Sequence, residues 1–239
     1  MASAIPVGGR AIGEIIRRSV SLERLRRAVG VIPKEGVREG DCTKEGSATE
    51  CNQCKLDQGV LLPAVPRRAI RRENFINWEY QLQIANMNAA PEVFGYCDKN
   101  TGLPVTSFDR SLAGRTWAAL KGEPQPNAGQ LNLTEWLYGG VYFDGFWRSQ
   151  CTLVDAKGRY AQFLSSDDGE PKRGFPQQFL FPGMIAEATR QITAISTALP
   201  QAKLQWHFMQ SEVYGWAVSS IPQPIVCVHT PYILQVIQA

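Results

Sequence analysis

Apolar side chains recur with two different periods along this chain. From Ile12 to Val29 they follow the three- to four-residue spacing of an amphipathic helix, interspersed with arginines. Between Glu135 and Leu164 the spacing instead alternates, which is typical of strands. There the pattern predicts strand, turn, strand, with Asp144 in the middle of one strand and the run Asp155 to Lys157 on the next.

The segments on either side of this hairpin predict alternating helices and strands. A helix begins after Asn74, its candidate N-cap, and a strand at 203–209 leads to a short helix at 212–220. A final buried strand is predicted at 224–229. The helix at 182–199 has Pro182 near its first position. The spacing places five of its side chains inward: Met184, Ile185, Ala188, Ile192 and Ile195.

This order predicts an α/β fold in which a small mixed central sheet is flanked by helices. Residues 91–130 are rich in turns, with one helical piece at 111–120. A connection of that length inside a compact domain is more often functional than idle.

The chain divides by composition and by charge. A Gly-, Glu- and Lys-rich stretch at 32–46 indicates a linker, and the Pro-bounded basic segment 63–72 indicates a domain boundary. Residues 1–72 contain 14 of the 25 Lys and Arg but only 8 of the 22 Asp and Glu. We therefore expect a basic N-terminal helical and Cys-containing segment at 1–72, followed by a mildly acidic main domain at 73–239.

Three cysteines lie in the N-terminal segment: Cys42, Cys51 and Cys54. The Cys-x-x-Cys spacing of the last two is half of a zinc-site pattern, for which Cys97 is a candidate fourth ligand. A structural Zn²⁺, a disulfide and unlinked thiols all remain open. The apolar strand patterns around Cys151 and Cys227 predict ordinary buried thiols.

The beginning of the sequence lacks a charged region followed by an apolar run, so no secretory signal is visible. No stretch approaches the roughly 18 uncharged apolar residues of a membrane span. We expect no membrane span and, if the protein is exported, a route that reads no cleaved signal peptide.

The predicted hairpin concentrates charge that a sheet does not need for folding. Because strand side chains alternate between faces, Asp155 and Lys157 lie together and Ala156 points the other way. Two carboxylates with a lysine suit a divalent-metal hydrolase, in which the acids and the Ala156 carbonyl hold a hard cation and Lys157 stabilises developing charge. Glu135, one strand earlier, is a candidate third acid. The alternative is a surface ion pair of little energetic consequence.

The two histidines, His207 and His229, are predicted to be structural, since no nucleophile-elbow motif accompanies them. The aromatic side chains of the hairpin could stack on bases, but their strand positions predict that most belong to the core.

Several segments carry a more specific resemblance. They are Tyr80-Gln81, Thr134-Glu135-Trp136, Phe143-Asp144-Gly145-Phe146, Asp155-Ala156-Lys157 with Tyr160 and Phe163, Arg190-Gln191, and Leu204 to Gln210. Together they resemble the restriction-endonuclease-fold toxin family Tox-REase-5. That family is a branch of the PD-(D/E)xK nucleases found as C-terminal toxin domains in bacterial polymorphic and type VI secretion effectors. The resemblance runs from about residue 73 to the C-terminus.

The resemblance implies that Asp144 and Asp155 are metal-binding acids, that Lys157 is the catalytic lysine and that Glu135 is a further acid. The family usually has Glu where this chain has Asp155, although the wider superfamily accepts either acid. The implied metal is Mg²⁺ or Mn²⁺. The implied activity is hydrolysis of DNA inside a rival cell, with secretion-system or chaperone proteins for delivery and a cognate immunity protein as partner.

Substrate contacts are expected from Gln81, Arg159 and Gln191. For the two glutamines the alternative is a place on the helix surface or a role in packing. Two other functions stay open on sequence alone. One is a catalytically weak binding protein of the same fold, which the Asp155 substitution would favour, and the other is an RNase.

Overall fold

The computed structural model describes residues 54–105 and 128–233. Within these ranges eight strands and three α-helices form two sheets with helices packed against them. The predicted helices at 12–29 and 111–120, the linker at 32–46, Cys42 and Cys51 lie outside the described residues.

The first sheet is antiparallel and is built around one long strand. β3 (Leu131–Tyr138) pairs with β1 (Val60–Pro63), β2 (Tyr96–Asp98) and β4 (Val141–Phe143). The turn between β3 and β4 consists of Gly139 and Gly140, both with positive φ, a conformation that glycine adopts without steric cost. The domain boundary at residue 72 stays a prediction, and β1, which precedes it, is part of this sheet.

The second sheet is mixed, as the sequence predicted. Its order is β5 (Gly145–Trp147), β6 (Thr152–Lys157), β7 (Lys203–Phe208) and β8 (Val226–His229). β5 and β6 are antiparallel, whereas β6, β7 and β8 are parallel. The parallel connections pass through α2 (Phe181–Ile195) and α3 (Ser211–Ser220), because parallel neighbours need a crossover.

The predicted single hairpin is therefore wrong in detail. Asp144 is not in the middle of a strand. It lies between β4 and β5, where the chain leaves the antiparallel sheet and enters the mixed one. A local alternation pattern cannot distinguish one long strand from two short strands in different sheets, because both place successive side chains on opposite faces.

Helix α1 (Phe75–Asn86) packs against β5 and β6. It begins after Asn74, as predicted, although the Asn74 side chain accepts from the backbone N–H of Arg71 and the Trp78 indole instead of capping the helix. The approach is so close that a Cβ on Gly145 would lie 2.7 Å from the Cα of Ala85. Glycine at this position allows α1 to lie directly on the strand that follows Asp144.

The core fills the space between the sheets and helices. Trp136 of β3 stacks on Phe146 of β5 with ring centroids 4.8 Å apart, which joins the two sheets. Of the α2 side chains predicted to face inward, Met184, Ala188 and Ile195 are buried and Ile192 is half-buried. Ile185 was predicted wrongly: it is 38% exposed, since the buried stripe of α2 runs through Phe181 and Gln191 instead.

Two further predictions are wrong: the burial of the last strand and the free thiol at Cys151. β8 exists where expected, but Val226 is 50% exposed, because β8 is an edge strand with a neighbour on one side only. Cys151 is not a free thiol, since it forms a disulfide with Cys54. None of the described helices is long and apolar enough to cross a bilayer.

Candidate active site

The acids and the lysine converge at the edge of the mixed sheet where β5 begins. Gly145 pairs with Val154, so the preceding Asp144 lies beside the part of β6 that holds Asp155 and Lys157. Asp144 Oδ2 accepts a 2.6 Å hydrogen bond from the backbone N–H of Ala156. All three charged side chains are buried, with exposures of 7%, 4% and 5%.

The carbonyl of Ala156 faces the same edge as Asp144. The Lys157 carbonyl accepts from Met209 N–H and the Cys151 carbonyl accepts from Lys203 N–H, so the odd-numbered carbonyls of β6 point toward β7. Because carbonyl directions alternate along a strand, that of Ala156 points away from β7 and toward Asp144. The structure thus places the predicted backbone ligand beside the predicted acid.

Lys157 is held by three groups. Its Nζ lies 2.7 Å from Asp155 Oδ1 and 2.8 Å from Glu187 Oε2, and it sits 4.0 Å above the centroid of the Trp206 ring. Burial by itself lowers the pKa of Lys157, but the nearby carboxylates of Asp155 and Glu187 outweigh it and leave this pKa above its ordinary value. Lys157 therefore stays charged.

Gln191 orients Asp155 from the other side. Its Nε2 donates to Asp155 Oδ2 at 2.5 Å, while its Oε1 accepts from the Trp206 indole N–H at 2.7 Å. The Gln191 side chain is fully buried. Both ends of its amide are used inside the protein, which suits a role in positioning Asp155 better than the predicted substrate contact.

Glu135 forms a second group beside the first. Its Oε1 accepts from Arg68 Nε and Nη2 and from Gln81 Nε2, and its Oε2 is buried without a hydrogen-bond partner among the described residues. Burial raises the pKa of Glu135, while Arg68 opposes the shift. Gln81 is 4% exposed and so contacts the acid cluster from inside the protein.

Repulsion between these acids is strongest at Asp144. Burial and the charges of Asp155 and Glu135 raise the pKa of Asp144 well above its ordinary value. Within the described cluster four carboxylates (Glu135, Asp144, Asp155 and Glu187) face two cations (Arg68 and Lys157). The carboxylates thus outnumber the cations, and an excess of buried negative charge costs free energy. Protons or a bound cation must compensate this excess.

The donor set fits a divalent cation held by two acids and a carbonyl. In residues 54–105 and 128–233, no three His, Cys, Asp or Glu side chains converge closely enough to form a metal cluster. Asp144, Asp155 and the Ala156 carbonyl are all oxygen donors, which Mg²⁺ and Mn²⁺ prefer. Glu135 stands apart in its pairing with Arg68.

Two further predicted features have other contacts in the structure. The Arg159 side chain is exposed and its backbone N–H donates to Asn77 Oδ1, so its substrate contact stays a prediction. The predicted zinc ligand Cys54 is used in the disulfide with Cys151, so it cannot ligate zinc in this structure. The sequence analysis predicted a buried thiol at Cys151, because no local pattern links two cysteines that are 97 residues apart.

Three residues were not predicted from the sequence: Arg68, Glu187 and Trp206. Glu187 precedes Gln191 by four residues, and such pairs share a helix face, so the helical pattern contained a signal for it. Trp206 lies in a segment that the sequence singled out, but without a role. Arg68 had no local signal, because it is one of several arginines in a Pro-bounded segment.

The mixed sheet with its flanking helices and buried acid–lysine centre defines a restriction-endonuclease-like α/β protein. Residues 118–211 match the family model Tox-REase-5, described as restriction endonuclease fold toxin 5. The match covers less than half of the chain but includes Glu135, Asp144, Asp155, Lys157 and Gln191. It confirms the resemblance predicted from the sequence and supports nuclease chemistry in general. Comparison with curated proteins gives no match.

Proposed function

We propose that this protein is a metal-dependent nuclease toxin that hydrolyses DNA phosphodiester bonds. The observation that carries the proposal is the contact of Asp144 Oδ2 with the backbone N–H of Ala156, between Asp155 and Lys157. This contact brings Asp144, from the junction of β4 and β5, to the part of β6 that carries Asp155, the Ala156 carbonyl and Lys157.

The catalytic acids are Asp144 and Asp155, and the proposed cation is Mg²⁺ or Mn²⁺. Such a cation, when bound, lowers the pKa of a coordinated water and offsets the negative charge of a phosphodiester. Gln191 keeps the Asp155 carboxylate turned toward the site, and the Ala156 N–H does the same for Asp144. These bonds fix the ligands before the cation arrives, which lowers the ordering cost of binding.

Lys157 supplies a fixed positive charge beside the acids. Its contacts with Asp155, Glu187 and Trp206 hold the ammonium group in place. From this position it stabilises the charge that develops on the phosphoryl oxygens, or orients the attacking water by donating a hydrogen bond.

The wider biological role rests on the toxin family alone. We propose that a contact-dependent secretion system delivers the protein into rival bacterial cells, with delivery or chaperone proteins as partners. A toxin that attacks DNA endangers the cell that makes it, so a cognate immunity protein that blocks the site belongs to the same proposal.

The test is incubation of purified protein with plasmid DNA and, separately, with structured RNA. DNA should be cut with Mg²⁺ or Mn²⁺ and left intact with EDTA. The matched variant is Lys157→Met, which keeps a side chain of similar length over Trp206 but removes the charge. It should lose cleavage by a factor of about 10² or more while still binding DNA.

Two results would contradict the proposal. Cleavage of RNA but not DNA would identify an RNase, and metal-dependent binding without cleavage of either would identify a binding protein of the same fold. Growth inhibition on cytoplasmic expression, relieved by Asp144→Asn, tests the toxin role separately from the substrate.

A further inference from the structure

Arg68 is fixed to the buried acid Glu135 beside the proposed catalytic centre. Its Nη2 and Nε lie 2.6 and 3.1 Å from the same oxygen, Glu135 Oε1, which also accepts from Gln81 Nε2 at 3.0 Å. Three N–H groups thus share one oxygen of a side chain that is 1% exposed. This oxygen is used to hold Arg68 and Gln81.

The backbone that carries Arg68 is also tied down. Asn132 of β3 is 1% exposed, and its Oδ1 accepts from Arg68 N–H while its Nδ2 donates to the Ala64 carbonyl. The Ala64 N–H in turn donates to the Leu133 carbonyl. The segment after β1 is therefore clamped to β3 by buried polar contacts, and the guanidinium is placed by both its backbone and its head group.

Part of the Arg68 side chain remains accessible. About a third of the side chain (36%) is exposed, although its inner edge is bonded to Glu135. Gln81, which donates to the same Glu135 oxygen as Arg68, lies on α1, and α1 packs against β5 and β6 next to the acids. The carboxylates of Asp144 and Asp155 also attract the Arg68 guanidinium. A guanidinium that is held through Nε and Nη2 still has N–H groups free for a second anion, and its fixed orientation preorganises it for bidentate binding of a phosphate.

We infer that Arg68 binds a phosphate of the substrate backbone beside the two metal-binding acids, and that Glu135 and Gln81 are its positioning residues. The inference rests on the proposed function, since it requires a phosphodiester substrate. It gives Glu135 a task different from that of a third metal ligand. It also extends the functional site beyond the matched segment 118–211, because Arg68 and Gln81 both precede that segment.

The neighbouring Arg67 is a matched control. It has the same charge and lies one residue away, but its side chain is exposed and contacts the Asn100 amide oxygen at 3.5 Å. A general effect of positive charge on this segment would be similar for both arginines. An effect of the anchored geometry would be specific to Arg68.

The experiment measures binding of a short fluorescein-labelled DNA duplex, by anisotropy, as a function of KCl concentration. It is carried out in Mg²⁺ on the Lys157→Met background, so that the DNA stays intact. Arg68→Gln should weaken binding about tenfold and reduce the slope of log K against log salt by about 0.9, the value of one phosphate contact in duplex DNA. Arg67→Gln should change both quantities much less. Thermal stabilisation by Mg²⁺ should be unchanged in Arg68→Gln.

If Arg68→Gln does not fold, the same binding experiment is made with Arg68→Lys, which keeps a positive charge opposite Glu135. This variant should retain the salt slope and lose affinity, since an ammonium group lacks the planar pair of N–H groups with which a guanidinium binds a phosphate bidentately. Equal effects at Arg67 and Arg68 would overturn the inference, as would loss of Mg²⁺ stabilisation without loss of DNA affinity. If the protein with both arginines intact binds and cleaves no nucleic acid, the proposed function fails and the inference fails with it.

Discussion

Asp144 Oδ2 lies 2.6 Å from the backbone nitrogen of Ala156, although Asp144 lies between β4 and β5 and Ala156 lies in β6. The contact fixes a buried carboxylate at the edge of the mixed sheet. Burial and repulsion by Asp155 and Glu135 disfavour the negative charge of that carboxylate, so the charge destabilises the folded protein. Such a cost is typical of a site built for a ligand of opposite charge.

Asp144→Asn should stabilise the metal-free protein by about 1–2 kcal/mol. The amide oxygen can still accept from the Ala156 N–H, while the repulsion and the desolvation of the charge disappear. The same variant should lose both cleavage and thermal stabilisation by Mg²⁺. Thermal unfolding in EDTA and in rising Mg²⁺ measures both effects. Glu170→Gln, at an exposed carboxylate, is the control. An Asp144→Asn protein that is still stabilised by Mg²⁺ would place the cation elsewhere.

Gln191→Leu should reduce stability by about 2 kcal/mol and lower kcat with little change in KM for DNA. The substitution leaves Asp155 Oδ2 and the Trp206 indole N–H without their partner, and each such loss costs about 1–3 kcal/mol. Chemical denaturation and steady-state cleavage kinetics separate the two effects. Arg190→Ala, at the exposed neighbouring position, should behave like the wild type in both. A higher KM with unchanged kcat would support the substrate contact first predicted for Gln191.

Loss of the Cys54–Cys151 disulfide should destabilise the protein by up to about 4–5 kcal/mol. The bridge spans 97 residues, and closing a loop of that length restricts the unfolded chain strongly. Denaturation with and without a reducing agent, and of Cys54→Ala, measures the effect. Cys227→Ala, at a half-buried free thiol, is the control and should unfold almost like the wild type. Equal stability with and without reducing agent would contradict the bridge.

His207→Gln should make stability less sensitive to acid. His207 is buried between Thr230 and Gln205, and burial lowers its pKa to about 4. The unfolded chain binds a proton near pH 6.5 and the folded protein does not, so stability is full above about pH 6.5 and falls as the pH drops toward about 4. At about pH 5 the loss relative to about pH 7 is on the order of 2 kcal/mol.

Urea denaturation at the two pH values measures this loss. The Gln variant should show correspondingly less of it than the wild type, while His229→Gln, at the other histidine, should show the wild-type loss. Parallel losses in all three proteins would mean that His207 does not cause the acid sensitivity.

The sequence by itself determined those features that depend on local periodicity. It predicted that Asp155 and Lys157 share a face, because side chains alternate along any strand whatever its partners are. It also located the beginning of α1 at Asn74 and predicted the helices and strands of the parallel half of the mixed sheet, since apolar spacing and capping residues are local signals.

Only the tertiary structure decided which distant residues meet. Arg68 with Glu135 and Cys54 with Cys151 are joined across 67 and 97 residues, and no local pattern records such a pairing. The positions of Asp144 between two sheets and of Gln191 inside the core have the same origin. Strand pairing and the packing of α1 and α2 decide these contacts, because burial depends on which surfaces come together and not on the periodicity of one segment.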